Sequence, residues 1–99
     1  MNIEFLFRGQ RFIWDPEKAF NNSIKHGVRF ERACEVFFDP LVRSQDASTE
    51  EEQRHAVIGI SDDWTLLFVV HLEREGDATR IISARLATAQ ERRRYEDDE

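Results

Sequence analysis

Apolar and polar positions along the chain follow two different periods. Ile3, Phe5 and Phe7, then Phe12 and Trp14, alternate with polar residues around Arg8-Gly9-Gln10, which reads as a strand pair or one long bent strand. The period then lengthens. Asp15-Pro16-Glu17 supplies an N-cap acceptor, a proline at the first helical position and an acid at the positive end of the dipole, so a helix is predicted from there to about His26. Phe20 and Ile24, one turn apart, are assigned to its buried side, and Gly27 supplies the left-handed residue that commonly ends a helix. Phe30, Ala33, Val36 and Phe37 at helical spacing give a second short helix, stopped by Asp39-Pro40.

After Leu41 and Val42 comes a polar loop from about Arg43 to Gln53. His55 to Ile60 reads as a strand, Ser61-Asp62-Asp63 as a turn, and Trp64 to Leu72 as a nearly continuous apolar strand covered on both faces. Gly76-Asp77 is a second hairpin turn and Thr79 to Leu86 another strand. Thr88 with Glu91 three residues on forms a capping box that opens a last helix through roughly Tyr95. Arg92, Arg93 and Arg94 span about 200° of that helix, so they cannot all face a core, and its poor amphipathicity makes it a candidate partner surface. The predicted architecture is a small α+β domain: two N-terminal helices packed on an antiparallel sheet of about four strands, then a C-terminal helix, with the helices gathered on one side.

Composition adds that the chain is globular, since 40% of its residues are hydrophobic and eight are phenylalanine. A single domain is expected over residues 1–99, with 1–13 as an N-terminal strand segment and 96–99 as an acidic tail. The lone Cys34 excludes an internal disulfide and a cysteine-based zinc cluster and suits a reducing compartment. No apolar stretch is long enough to span a bilayer and no signal run opens the chain, so a cytoplasmic protein is expected. The net charge of −6 at first opposes nucleic-acid binding. Its placement changes that: Glu50 to Glu52 and Glu96 to Glu99 are acidic runs, and without those seven residues 14 basic groups face 13 acidic ones.

Candidate chemistry narrows by exclusion. His26, His55 and His71 are scattered without metal-ligand spacing, no nucleophile elbow or glycine-rich phosphate loop occurs, and Cys34 sits on the inward side of a helix, so neither metal nor cofactor is expected. Metal-free acid-base work on a phosphodiester remains. RNA carries its own nucleophile, the 2′-hydroxyl, and an enzyme need only remove that proton, stabilise charge on phosphorus and protonate the leaving oxygen. His71, late in the apolar strand, is a plausible titrating group. Arg80 and Arg85 are five residues apart, which in an ideal strand sends them to opposite faces; only a bulge or a site at the strand end would let both reach one phosphate. Each has a plainer reading. His71 can be a structural histidine, the arginines solvated strand ends, and Lys25 and His26 cations that favour the negative end of a helix dipole.

The run WDPEKAFNNSIKHGVRFERACEVFFDP, residues 14–40, resembles the opening signature of the BrnT-type toxins: Trp-Asp-Pro-x-Lys-Ala, then Lys-His-Gly-Val-x-Phe, then Ala-x-x-Val-Phe-x-Asp-Pro. The later RHAVIGIS, LLFVVHLER and RIISARLATAQERRRYE resemble that family's remaining blocks, in the same order. The resemblance implies a RelE-like fold and a ribonuclease that arrests growth by cutting RNA. It also implies neutralisation by a cognate BrnA-like antitoxin in a hetero-oligomer, with DNA contacted only indirectly through that complex. Carried over by residue, Lys25, Arg54, Arg80 and Arg85 bind and polarise the phosphate, His71 is the acid-base group, and His26 and Ser83 sit at substrate-binding positions. Arg29 stands where relatives tend to have a capping serine, so the second helix is expected to fray. The alternative from another class is a catalytically silent RelE-like protein that binds an antitoxin-like partner or RNA without cleavage. A plain structural domain is the third reading.

Overall fold

Arg8 and Gly9, with φ of 53° and 83°, turn the chain back on itself and join β1 (Ile3–Phe7) to β2 (Gln10–Trp14) as an antiparallel hairpin. The computed structural model describes residues 1–73 and 75–97. Asp98 and Glu99 of the expected acidic tail lie outside the described residues. Helix α1 (Pro16–His26) begins and ends as its sequence signals require. Asp15 Oδ2 accepts the Lys18 backbone N–H at 2.9 Å, and Gly27, at φ 71°, donates its own N–H to the Ser23 carbonyl. The next helix, α2 (Phe30–Ala33), has Arg29 as an N-cap without a side-chain acceptor; it lasts one turn before tightening into a 3₁₀ segment, Cys34–Phe38.

Strands β3 (Arg43–Asp46), β4 (His55–Ile60), β5 (Leu66–Glu73) and β6 (Thr79–Leu86) complete one sheet of six strands in the order β1-β2-β6-β5-β4-β3. Two expectations are corrected here. The sheet has six strands rather than about four, because the N-terminal pair joins it and part of the expected polar loop, Arg43–Asp46, is an edge strand. It is also mixed: β2 runs parallel to β6, pairing Phe12 with Thr79 and Ile13 with Arg80.

The two faces of the sheet differ. On the first, Phe12, Trp14, Val57, Leu67, Val69, Ile81 and Ala84 pack with Val28, Phe30, Ala33, Cys34 and Val36 in one core cluster. The 3₁₀ segment presses closely there: a Cβ on Gly59 would lie 2.9 Å from both the Cβ and the carbonyl oxygen of Val36. Burial pushes the Cys34 thiol well above its ordinary pKa and leaves it a structural residue. The second face carries Ala56 and Ile58 of β4 and Phe68, Val70 and Leu72 of β5, in alternation with the first.

Helix α1 does not lie on its apolar side. It docks against the edge of β6 beyond the end of β2, where the buried Asn22 amide accepts from the Ala84 N–H (3.1 Å) and donates to the Ala84 carbonyl (2.8 Å) and the Val28 carbonyl (3.0 Å). One side chain thus supplies what a neighbouring strand would have supplied. Phe20 and Ile24, expected on the buried side, are 65% and 72% exposed.

Helix α3 (Ala89–Glu96) opens with the expected capping box between Thr88 and Glu91. It lies on the second face, so the helices are not gathered on one side. None of its residues is buried, and polar contacts hold it instead. Glu91 takes Arg85 through both carboxylate oxygens at 2.8 Å, the Tyr95 hydroxyl donates to Asp39 at 2.5 Å, and Arg94 and Arg43 bond to Gln45 and to the Asp97 carbonyl. Burial and the bond to Asp39 push the Tyr95 hydroxyl up to about 12.

Candidate nucleic-acid interface

β5 and β6 pair Val70 with Ser83 but His71 with Ile81, so Ile82 is an extra residue on β6. This bulge resets the alternation. Ile81 and Ala84, three apart, both join the helix-side core, while Arg80 opposes Leu72, Ser83 opposes Val70 and Arg85 opposes Phe68 on the second face. Arg80, Ser83 and Arg85 are therefore side by side along one face. Four residue steps on β5 separate their outer two registers, or about 13 Å.

Arg54, on the residue before β4, shares a recess of about 220 Å³ with Arg80 and Ile82, and Lys18 and Asp15 from the start of α1 complete it with Glu52. Arg54 Nε donates to Glu52 Oε1 at 2.7 Å. Arg80 gives one Nη to Asn2 Oδ1 at 3.3 Å, and its buried Nε finds no partner among the described residues. Three cations face two carboxylates here, and one of those, Asp15, is engaged in capping α1. The recess is locally positive in a chain of net charge −6.

At the other end of the face, Arg85 lies 4.3 Å from the centre of the Phe68 ring and is bound bidentately by Glu91. That bond holds the Glu91 carboxyl below its ordinary range and raises the guanidinium further. Half-buried Phe68, Val70 and Ile82 form an apolar floor between the two ends.

Lys25 follows Lys18 by seven residues, about 20° short of two full turns, so both lie on one stripe of α1 about 10 Å apart. α1 runs alongside β6, with Lys18 by Arg80 and Asn22 by Ala84, which carries Lys25 toward the Arg85 end. His26 sits one turn beyond Asn22, half-buried on the side of the helix that meets the sheet edge rather than on the lysine stripe.

His71 is not part of this group. It projects from the opposite face, 7% exposed, edge-on to Phe37 at 4.9 Å and 5.7 Å from the His55 ring. Its Nδ1 has no hydrogen-bond partner among the described residues. Burial, then repulsion from His55, pushes its pKa down to about 4, so the ring is neutral at pH 7. Of the residues singled out from sequence, the fold collects Arg54, Arg80, Ser83 and Arg85 on one face and brings Lys25 to its border; it leaves His71 and His26 elsewhere. Lys18 and Glu52 were missed. Lys18 could have been found, because it is the lysine of the Trp-Asp-Pro-x-Lys-Ala signature and shares a helical stripe with Lys25.

The family model for the ribonuclease toxin BrnT of type II toxin-antitoxin systems matches residues 14–91, from the last residue of β2 to the capping glutamate of α3. The chain belongs to this family. No curated protein sequence matches it. A BrnT toxin is a ribonuclease, and as the toxin of a type II pair it has an antitoxin partner. The match begins at Trp14, so strand β1 and most of β2 precede the part of the chain that the family defines. Among the described residues of this BrnT toxin no helix is long and apolar enough to cross a membrane, and no group of three or more His, Cys, Asp or Glu residues could hold a metal ion.

Proposed function

We propose that this BrnT toxin cuts RNA internally, without a metal ion, on the sheet face that carries Arg80 and Arg85. The observation that carries the reading is the bulge at Ile82, which puts both arginines on one face beside an apolar floor. In this reading Arg54, Arg80 and Lys18 seat one phosphate in the recess they share. Arg85, Ser83 and Lys25 hold the backbone further along, and Phe68 and Val70 support a base.

Cleavage proceeds by attack of the 2′-hydroxyl on phosphorus. The P–O2′ bond forms, the bond to the 5′-oxygen breaks, and a cyclic phosphate is left. The guanidinium groups stabilise the extra negative charge. Glu52, the carboxylate of the recess not engaged in capping, takes the 2′ proton, and the Lys18 ammonium supplies one to the leaving oxygen. His71 and His26 have structural roles in this scheme. The partner is a BrnA-like antitoxin, DNA is reached only through the complex, and the protein works in the cytoplasm.

One observation favours the silent alternative: no histidine stands on the arginine-bearing face, and Arg85 is already paired to Glu91. Incubating the purified, partner-free toxin with a defined RNA in EDTA, and mapping product ends, separates the two. Cyclic-phosphate ends that disappear in Arg80→Ala support the nuclease; intact RNA with a folded, monodisperse protein supports the silent binder.

A further inference from the structure

Helix α1 is amphipathic in the wrong sense for a helix that only serves the fold. It turns the polar Asn22 inward against β6 and leaves Phe20 and Ile24, one turn apart, 65% and 72% exposed on the outside. Two large apolar side chains in register on a rigid helix form a ready contact surface, and nothing in the domain requires them there. Sequence choices that break the local rules of folding without a gain in stability mark functional surfaces.

The surroundings of the stripe are asymmetric. Going around α1 from Ile24, Glu17 and then Asn21 come next, followed by Lys25 and Lys18 about 100° from Ile24. Those lysines are the border of the arginine-bearing face. An occupant that covers Phe20 and Ile24 and extends past Glu17 and Asn21 thus meets two cations at the border of that face.

We propose that the Phe20–Ile24 stripe is where the antitoxin docks, through a segment with apolar residues one turn apart and acidic residues on the flank that meets Lys18 and Lys25. A type II toxin has a protein partner. The charge of the border selects an acidic one, since like charges across an interface are strongly disfavoured. Docking neutralises the toxin by occupying the lysines that RNA needs; this consequence rests on the cleavage site proposed above, whereas the docking itself does not.

The test compares full-length toxin with its Phe20→Ser/Ile24→Ser variant for binding to the purified cognate antitoxin by calorimetry at low and high salt. RNA cleavage without antitoxin and sedimentation of the toxin alone are measured in parallel. The expected result is antitoxin binding weaker by about tenfold or more, a wild-type affinity that falls with added salt, and unchanged cleavage. Equal affinity for both proteins overturns the docking site, and a salt-independent affinity overturns the acidic partner segment. A wild-type toxin that self-associates through the stripe, with a monomeric variant, assigns it to a second copy and overturns the proposal as well. Failure of the wild type to cut RNA would remove the cleavage site, while the binding comparison would still decide the docking.

Discussion

Arg80 and Arg85 point to the same face of β6 although they are five positions apart, an odd offset. A single unpaired residue, Ile82, supplies the phase change. The positive face therefore depends on backbone register as much as on the arginines themselves.

Replacing Arg80 by alanine is expected to lower RNA cleavage by about 10²-fold or more, the usual cost of losing a donor that stabilises a developing anion. Its side chain is not part of the core cluster, so the thermal melt should move little. Arg80→Lys should recover only part of the activity, because an ammonium cannot reproduce the guanidinium fork. Single-turnover cleavage of the three proteins decides this; full activity in Arg80→Ala would take Arg80 out of the site.

Asn22→Leu should destabilise the domain by about 2 to 4 kcal/mol. It removes the partner of the Ala84 N–H and carbonyl and leaves both buried against an apolar side chain. Urea unfolding at pH 7 gives the number, and a loss below about 0.5 kcal/mol would mean that water replaces the amide.

His71 makes stability depend on pH. Its folded pKa of about 4 lies below the ordinary 6.5, so the unfolded chain takes up the proton first as pH falls. The stabilisation is complete above pH 6.5 and is lost progressively down to about pH 4, with a total of about 2 to 3 kcal/mol. Unfolding free energies at pH 7 and pH 4.5 should converge in His71→Leu relative to wild type. An identical pH slope in the two proteins would show that the imidazole is solvated.

Gly59→Ala tests how tightly the 3₁₀ segment presses on the sheet. The new Cβ would meet the backbone oxygen and Cβ of Val36 at 2.9 Å, and a rigid turn cannot swing aside as a flexible side chain can. A loss of about 1 to 3 kcal/mol in thermal or urea unfolding is expected.

Local signals were legible wherever local chemistry decides. The Asp15 cap, the Gly27 terminator, the Thr88–Glu91 box and the cores of β4, β5 and β6 follow from residues within a few positions of each other. What was hidden depends on partners far along the chain. β3 is a polar Arg-Ser-Gln-Asp edge with no apolar alternation to betray it. Trp64 reads as the start of an apolar strand, yet its φ of 66° places it in the preceding turn, 83% exposed. Phe20 and Ile24 carry the spacing of a buried face, and only the Asn22 bonds to β6 reveal that the helix is turned the other way. The arginines of the proposed site were named from sequence, but their common face required a bulge that the sequence allows without announcing. His71 was chosen for its chemistry, and strand alternation relative to the core decides which side it serves.

Asn22 seals the stretch of the β6 edge that β2 leaves unpaired, and β2 carries the hairpin strand β1 on its far side. β1 touches the sheet only through β2 and lies wholly before the residue where the family match begins. It behaves as an outrigger: a strand added at the margin, where lengthening the sheet leaves the register of β5 and β6 undisturbed. It is not cut off from the arginine-bearing face, however: Asn2, just ahead of β1, accepts a hydrogen bond from Arg80, so the N-terminal segment steadies a side chain of that face.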